Sequence, residues 1–234
     1  MCGRYSLTDK DIGVVADALG AHYDDELAAA HLPRYNIAPT QVVPIVTLED
    51  AGRVLGLAKW GFMSEQDKKL AINARAESVA TRPGIRDAFA SRRCVVPADG
   101  FYEWRGDKAA RRPIWFHRAD GAPIFFAGLW QAGAGGAPTF LVITTTPNDV
   151  VAPVHDRMPA ILSTESAIEW LKRPDVKLLG PVDNDVLVAT AVSSRVNDVK
   201  NDDPGCLEAP DEAAEGAAAA AAAAKKAKKQ MTLL

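Results

Sequence analysis

Residues 124–130, IFFAGLW, and residues 139–145, TFLVITT, are the two stretches that decide the fold class. Both are rich in aromatic and β-branched residues, both are shorter than a typical core helix, and a segment containing glycine and proline separates them. Runs of this kind predict buried β-strands. We therefore expect a strand at each stretch.

Similar runs recur at residues 42–48, 53–60, 94–97, 114–117 and 186–192. Two helical patterns accompany them: Thr8 and Asp11 precede spaced apolar residues that end at Gly20, and Ser163 or Thr164 caps a second pattern. Helices are few and do not alternate with the strands, so a βαβ repeat is excluded. The sequence predicts an α+β protein, a single domain with a mixed, largely antiparallel, barrel-like β core and peripheral helices.

The composition changes in the last part of the chain. Acidic and proline-containing residues lead into eight consecutive alanines at 217–224, and then into the lysines Lys225, Lys226, Lys228 and Lys229. An isolated polyalanine helix this short is marginal in water. We expect one domain over residues 1–200 and a disordered, low-complexity tail over residues 201–234, whose lysines either attract phosphates or only aid solubility.

Composition also limits the class of protein. The 234 residues are 48% hydrophobic and 24% charged, and three widely spaced cysteines form no Cys-x-x-Cys pair. Neither a disulfide framework nor a zinc site is indicated, and no glycine-rich phosphate or dinucleotide motif occurs, so we expect no cofactor. The chain has no run of roughly 20 consecutive apolar residues, the length that a membrane span needs. Its first residues do not have the pattern of a signal peptide. We expect a cytoplasmic monomer that makes no contact with a membrane.

The net charge of −3 conceals a basic segment. Between Arg82 and Arg118, nine basic residues stand against four acidic ones. A local excess of this kind can hold phosphates while the rest of the surface stays acidic. A solvated face of paired charges is the alternative interpretation.

Cys2 follows the initiating methionine. Removal of Met1 would place a thiol and a free α-amine on one residue, and about a tenth of such an amine is neutral and nucleophilic at pH 7. The amine can condense with an aldehyde and the sulfur can then close a five-membered thiazolidine ring, or the thiol can attack a carbonyl. A lone cysteine without chemical purpose is the alternative.

Two motifs place carboxylates among groups that suit proton transfer. Residues 73–77, NARAE, alternate polar and small residues, so an extended backbone would direct Asn73, Arg75 and Glu77 to one face. Glu103 lies in GFYEW, at residues 100–104, beside three aromatic side chains. Partial burial would raise its pKa and suit a general acid or base. A salt-bridged loop and an exposed glutamate are the respective alternatives.

Three further segments carry candidate site residues. His155 opens HDRMP, in a loop between prolines with an acid and a base beside it, and histidine titrates near neutrality. Pro39 and Thr40 close YNIAPT, predicted to be a loop that contacts sugar or base, or a simple turn. Trp60 and Phe62 either form an apolar wedge that stacks on bases or pack in the core.

In the order MCGRY, YNIAPT, WGF, NARAE, GFYEW and HDRMP, these motifs resemble the SRAP family, the SOS response-associated peptidases, over residues 2–200. The resemblance implies the SRAP fold and a partner, single-stranded DNA that contains abasic sites. It also implies that Met1 is removed, with removal by the protein itself as one route, and that Cys2 then crosslinks to the ring-opened aldehyde as a thiazolidine. Lyase activity belongs to the same expectation.

The resemblance also implies residue roles. Asn73 would position the amine or the sugar, Glu103 would donate and accept protons, and His155 would assist ring opening. Phosphates would be held by Arg4, Arg75 and Arg157, with Arg82 from the basic segment. The alanine and lysine tail lies outside the resemblance.

Two other classes of function use the same residues. Cys2, Glu103 and His155 would also serve a cysteine peptidase or amidohydrolase with an N-terminal nucleophile. A noncovalent single-strand binding module would need only arginines and aromatic side chains. Turnover of peptides marks the first class, and the absence of a denaturation-resistant complex marks the second.

Overall fold

The computed structural model describes residues 2–63, 69–106, 111–133, 136–212 and 216. Its α-helices are α1 Gly13–Leu19, α2 Asp25–Ala30, α3 Arg86–Ser91 and α4 Thr164–Lys172, and its 3-10 helices are Val176–Leu179, Ser194–Asn197 and Pro204–Cys206. The strands are β1 Tyr5–Leu7, β2 Arg34–Ile37, β3 Val42–Glu49, β4 Gly52–Trp60, β5 Phe62–Met63, β6 Leu70–Ala71, β7 Asn73–Arg75, β8 Arg93–Ala98, β9 Gly100–Arg105, β10 Arg112–Arg118, β11 Ile124–Gln131, β12 Thr139–Thr145, β13 Met158–Pro159, β14 Ile161–Leu162 and β15 Leu187–Ala191.

The larger sheet closes on itself. Strands β12, β4, β3, β8 and β11 are hydrogen-bonded in that order, and β11 also pairs with β12, so the five strands form a ring. Pairing is antiparallel except where β12 runs parallel to β4 and to β7. The expected mixed, largely antiparallel core is confirmed. The two stretches with the clearest strand signal, now β11 and β12, are neighbours at the closure of the ring.

The smaller sheet carries the candidate chemistry. Its five strands lie in the order β15, β10, β9, β1, β2, all antiparallel. Strand β9 is flanked by β10 and β1, and the three strands approach closely at Gly100. A Cβ there would lie 2.5 Å from the carbonyl oxygen of Phe116, so only glycine fits.

Successive side chains of β9 face opposite sides of this sheet. Phe101 packs in the main core, edge-on to Phe126 of the ring, and Glu103 is on the same side. Tyr102 belongs instead to a second buried cluster with Val192, Val196 and Cys206. The smaller sheet is therefore covered on both faces, by the ring on one side and by the C-terminal residues on the other.

Both predicted helices are present. Helix α1 ends at Gly20, whose φ of 55° is left-handed, and α4 is capped by the Ser163 hydroxyl, which accepts a hydrogen bond from the Ser166 amide. The start of α1 differs from expectation, because the Thr8 amide donates to Asp99 and Thr8 makes no cap. Among the described residues, none of the helices has the length and apolar character needed to cross a membrane.

Residues 193–207, which we call the C-terminal strap, pack onto the smaller sheet. Cys206 is fully buried, and the Asp202 carboxylate accepts hydrogen bonds from the amides of Tyr35 and Asn36. Cys206 belongs to the second buried cluster and Leu207 packs against it, so we propose that the domain extends beyond the expected boundary at residue 200 to residue 207. Most of the alanine and lysine stretch, at residues 217–234, lies outside the described residues.

A chain that ends at Lys200 should be less stable than one that ends at Glu212. It loses the hydrogen bonds to Asp202 and the burial of Cys206, together worth about 2–4 kcal/mol in the free energy of unfolding. At roughly 2–4 °C per kcal/mol for a domain of this size, we expect the thermal midpoint to fall by about 5–15 °C. Thermal unfolding of the two chains and of the full chain tests this, and equal midpoints would show that the strap adds no stability.

Candidate functional site

Cys2 is held at the edge of the main core. Its side chain is fully buried, and its carbonyl oxygen accepts a hydrogen bond of 2.8 Å from Asn73 Nδ2. The thiol lies 3.9 Å from the carbonyl oxygen of Arg4, to which it donates. Asn73 reaches Cys2 because β7 runs parallel to β12, opposite Val142. The amide of the NARAE motif thus fixes the backbone of the candidate nucleophile.

Glu103 is the buried carboxylate of this site, and only 4% of the residue is exposed. Burial raises its pKa, and the nearby His155 opposes that shift. Burial likewise raises the pKa of the Cys2 thiol, and the Glu103 carboxylate adds to that rise. Cys2 is therefore a thiol at neutral pH, and its activation requires a proton acceptor. Glu103 is the neighbouring group with the affinity for a proton that this role needs.

His155 connects the buried carboxylate to the surface. Its Nε2 lies 4.0 Å from Glu103 Oε2, and its Nδ1 accepts a hydrogen bond of 3.0 Å from the Arg157 amide. The same Nδ1 lies 3.0 Å from a carboxylate oxygen of Asp156, which is exposed. A neutral ring can accept from the amide, and a protonated ring can donate to Asp156. Both protonation states of His155 therefore have a partner, as a group that relays protons requires.

Arg157 braces two loops of the site. Its Nη1 and Nη2 donate to the two carboxylate oxygens of Glu77 at 2.5 and 2.9 Å, and Nη2 also donates to the carbonyl oxygen of Thr144 at 2.6 Å. This pairing lowers the pKa of Glu77. The Arg157 side chain is 11% exposed. Arg157 therefore joins the NARAE and HDRMP motifs through Nη1 and Nη2. These contacts favour a structural role for Arg157, and its expected contact with phosphate stays a prediction.

Arg4 is also committed within the protein. Its Nη1 donates to Asn36 Oδ1 at 2.5 Å and to the carbonyl oxygen of Val196 at 2.7 Å, and burial lowers its pKa. The guanidinium carbon lies 5.7 Å from the centroid of the Trp104 ring. Arg4 therefore ties the N-terminus to the strap. Its expected contact with phosphate stays a prediction.

The remaining candidate DNA contacts fall into two groups. Arg75, Arg82 and Thr40 are exposed, and Pro39 is half-buried. Trp60 and Phe62 lie in the core. The Trp60 ring contacts the Tyr5 ring edge-on at 5.3 Å, and its Nε1 donates to the carbonyl oxygen of Ile72 at 3.0 Å. Of the two interpretations of Trp60 and Phe62, their burial favours packing in the core over a wedge that stacks on bases.

Sequence reasoning missed three features of the site. The HDRMP motif gives no role to Asp156, whereas the ion pair of Glu77 with Arg157 agrees with the alternative interpretation of NARAE as a salt-bridged loop. Sequence reasoning treated residues 34–40 as a loop, whereas residues 34–37 form the edge strand β2. It also counted Arg93 in a basic surface, but Arg93 is buried and donates to backbone carbonyls such as that of Trp170. In the described part of the chain, no three His, Cys, Asp or Glu side chains gather closely enough to hold a metal ion.

Comparison with known proteins gives a consistent result. The family model of the SOS response associated peptidases (SRAP) matches residues 1–199. The abasic site processing protein YoqW of Bacillus subtilis (strain 168) is 35% identical over 225 residues, which cover 89% of this chain and 100% of that protein. The abasic site processing protein YedK of Escherichia coli (strain K12) is 32% identical over 182 residues, covering 74% of this chain and 80% of that protein.

The fold has a counterpart among solved structures. A crystal structure of a protein from Bacteroides thetaiotaomicron matches with a TM-score of 0.76 at 26% sequence identity. The match covers 89% of this chain and 99% of the other. The similarity therefore extends over nearly the whole of that protein.

Glu103→Gln should stabilise the protein at neutral pH. Because burial raises the Glu103 pKa above its ordinary value of 4.5, the folded protein holds this proton at a pH where the unfolded chain has lost it. The free energy of unfolding therefore falls as the pH rises from that value through the folded pKa, a loss that glutamine does not suffer. We expect a higher thermal midpoint for the variant near pH 7.5 and equal midpoints near pH 4.

Glu77→Gln is the matched control with the opposite sign. The Arg157 hydrogen bond lowers the Glu77 pKa, so this variant should be less stable than the wild type near pH 7.5 and should approach it in acid. A Glu103→Gln midpoint below that of the wild type near neutral pH would mean that the charged form of Glu103 stabilises the fold.

Proposed function

Because the chain belongs to the SOS response associated peptidase (SRAP) family, we propose that it processes abasic sites in DNA. Its relatives YoqW and YedK are named abasic site processing proteins. The observation that carries the proposal is the junction of Cys2, Asn73, Glu103 and His155, four residues from separate segments, at one edge of the core. That junction supplies a nucleophile with groups to fix it and to exchange its proton.

The proposed reaction is a covalent capture by Cys2. Once Met1 is removed, the α-amine adds to the C1′ aldehyde of the ring-opened sugar and loses water to give an imine. The sulfur then adds to the imine carbon, and the thiol proton is transferred to the nitrogen. The product is a thiazolidine of sulfur, Cβ, Cα, nitrogen and C1′. An undamaged nucleotide offers no aldehyde, so the chemistry itself selects the abasic site.

The geometry of the site supports a part for the protein in each proposed step. Asn73 holds the Cys2 carbonyl, which restrains the amine and the thiol relative to the incoming carbon. Glu103 accepts the thiol proton and donates to the departing water, since its raised pKa suits both directions. His155 exchanges protons between Glu103 and the surface. The same groups suit Met1 removal and strand cleavage by β-elimination, which remain proposals of the same kind.

A peptidase is the second candidate function, because a buried thiol beside a proton acceptor also suits attack on an amide. Turnover of unrelated peptides by the chain would favour it.

DNA binding without sequence preference needs only phosphate contacts, and the exposed Arg75 and Arg82 are the residues we assign to them. Single-stranded DNA fits this proposal, because it exposes the sugar without a partner strand.

Cys2→Ala should abolish a denaturation-resistant adduct with an abasic single-stranded oligonucleotide. Cys94 and Cys206 cannot replace Cys2, since each offers a thiol without an α-amine. Cys2→Ser keeps the amine and should give only an imine that borohydride traps. Denaturing gels of the wild type and both variants, with an intact oligonucleotide and Cys94→Ala as controls, measure this. A stable adduct of normal yield from Cys2→Ala would refute the thiazolidine.

Arg75→Ala should weaken binding to intact and abasic strands alike. The logarithm of affinity for single strands falls with the logarithm of salt concentration by roughly 0.7 per neutralised phosphate, so the slope should flatten by about that amount. Arg157→Ala should leave the slope unchanged, because its guanidinium already binds Glu77. Titrations across a salt series test both variants. A flattened slope for Arg157→Ala alone would reverse the assignment.

A further inference from the structure

The Asp202 carboxylate accepts hydrogen bonds from the backbone of β2, the outer strand of the smaller sheet. Strand β2 pairs with β1 on one side, and its register shifts so that Tyr35 and Asn36 together oppose one residue of β1. The amides of both residues donate to Asp202 Oδ1, at 2.6 and 2.9 Å. Arg34 Nε donates to Asp202 Oδ2 at 2.5 Å. A β-bulge thus directs two amides toward one side chain of the strap.

Asn36 joins that edge strand to both ends of the chain. Its side chain is fully buried, and Nδ2 donates to the carbonyl oxygens of Val196, Asp198 and Asn201 at 3.1, 3.0 and 2.7 Å. Its Oδ1 accepts from Arg4 Nη1. A buried amide with all its donors and acceptors occupied permits one arrangement of its neighbours.

Arg4 links the Asn36 side chain to Cys2, the proposed nucleophile. It stands two residues after Cys2, and its carbonyl oxygen accepts from the Tyr102 amide at 3.0 Å and from the Cys2 thiol. Beyond Arg4, the Trp104 Nε1 donates to Asn197 Oδ1 at 2.6 Å, so the strap also restrains the residue next to Glu103. The strap is therefore attached on either side of the reacting pair.

We propose that the C-terminal strap positions Cys2 for reaction, with Asp202 and Asn36 as positioning residues that act through Arg4. The inference rests on the proposed function for its chemical readout. Residues 200–207 of the strap lie outside the residues matched by the family model, which end at 199. Asp202 therefore belongs to the part of the strap that the family match does not include, whereas Val196 and Asn197 lie within the match.

The test separates the rate of reaction from the affinity for DNA. Asp202→Ala should slow single-turnover crosslinking at saturating abasic oligonucleotide by about tenfold or more, because small displacements of a nucleophile cost large factors in rate. Affinity for an oligonucleotide with a tetrahydrofuran abasic analogue, which lacks the aldehyde, should stay within about twofold, because no strap residue is assigned to phosphate. Equal crosslinking rates for variant and wild type would overturn the proposal.

Asp203→Ala is the matched control. The neighbouring Asp203 forms an exposed ion pair with Arg195 and caps the last 3-10 helix, without contacting β2. It should crosslink at the wild-type rate. In an Arg4→Ala background, Asp202→Ala should cause no further loss, since the two act in one series. A full additional loss in that background, or an equal loss for Asp203→Ala, would contradict transmission through Arg4.

The rate at which each of the three cysteines is labelled shows which part of the structure becomes exposed in a variant. Cys2 is the proposed nucleophile, Cys94 lies in the ring of the larger sheet, and Cys206 lies in the strap. All three are buried. Iodoacetamide labelling followed by peptide mass spectrometry should show Asp202→Ala exposing Cys206 and Cys2 about tenfold faster while Cys94 stays protected. Faster labelling of Cys206 with Cys2 unchanged would overturn the proposal. If Asp202→Ala also exposes Cys94, the variant has lost its fold more widely. The milder variant Asp202→Asn, which keeps one acceptor oxygen, is then used in its place.

The two proposals fail in different ways. If the wild type forms no adduct with abasic DNA, the proposed function is wrong, and the labelling of Cys2 and Cys206 still decides whether the strap holds the N-terminus. If the wild type crosslinks and Asp202→Ala matches it in rate and in Cys2 labelling, the function stands and the strap does not position Cys2.

Discussion

The alternation of side chains along β9 is the constraint on which the site depends. Because neighbouring residues of a strand face opposite sides, Glu103 faces the core that contains Cys2 while Tyr102 and Trp104 face the strap. A shift of one residue in the pairing of β9 would turn the carboxylate toward the strap and an aromatic ring toward Cys2. The close approach at Gly100, where no larger residue fits, holds that register.

This arrangement sets stability against chemistry. A carboxylate and a thiol share a buried site, and burial raises the pKa of both. The protein keeps a dehydrated acid where a hydrophobic side chain would stabilise the fold more, as reactive sites often do. Compensation comes from the surrounding brace, in which Glu77 and Arg157 tie the two loops that bring Asn73 and His155 to Cys2.

Local patterns were sufficient for seven of the strands, and they singled out the candidate chemical residues. The runs that became β3, β4, β8, β10, β11, β12 and β15 have a β-branched or aromatic signal, and Cys2, Glu103 and His155 stand in distinctive motifs. Long-range partners left no such signal. Whether an arginine binds phosphate or a carboxylate depends on what the fold brings to it, and the partners of Arg4 and Arg157 lie 192 and 80 residues away. Burial of Trp60 is decided in the same way.

The contact between Arg4 and the strap also affects when the structure around the N-terminus is completed during translation. A chain is synthesised from its N-terminus at about 5–20 residues per second, so the roughly 190 residues that separate Arg4 from Val196 take about 10–40 seconds to translate. During that interval the first residues leave the ribosome before the strap exists. The contacts of Arg4 with the strap are therefore completed only by the last part of the domain to be made. Nascent and finished chains thus differ in how their N-terminal residues are held.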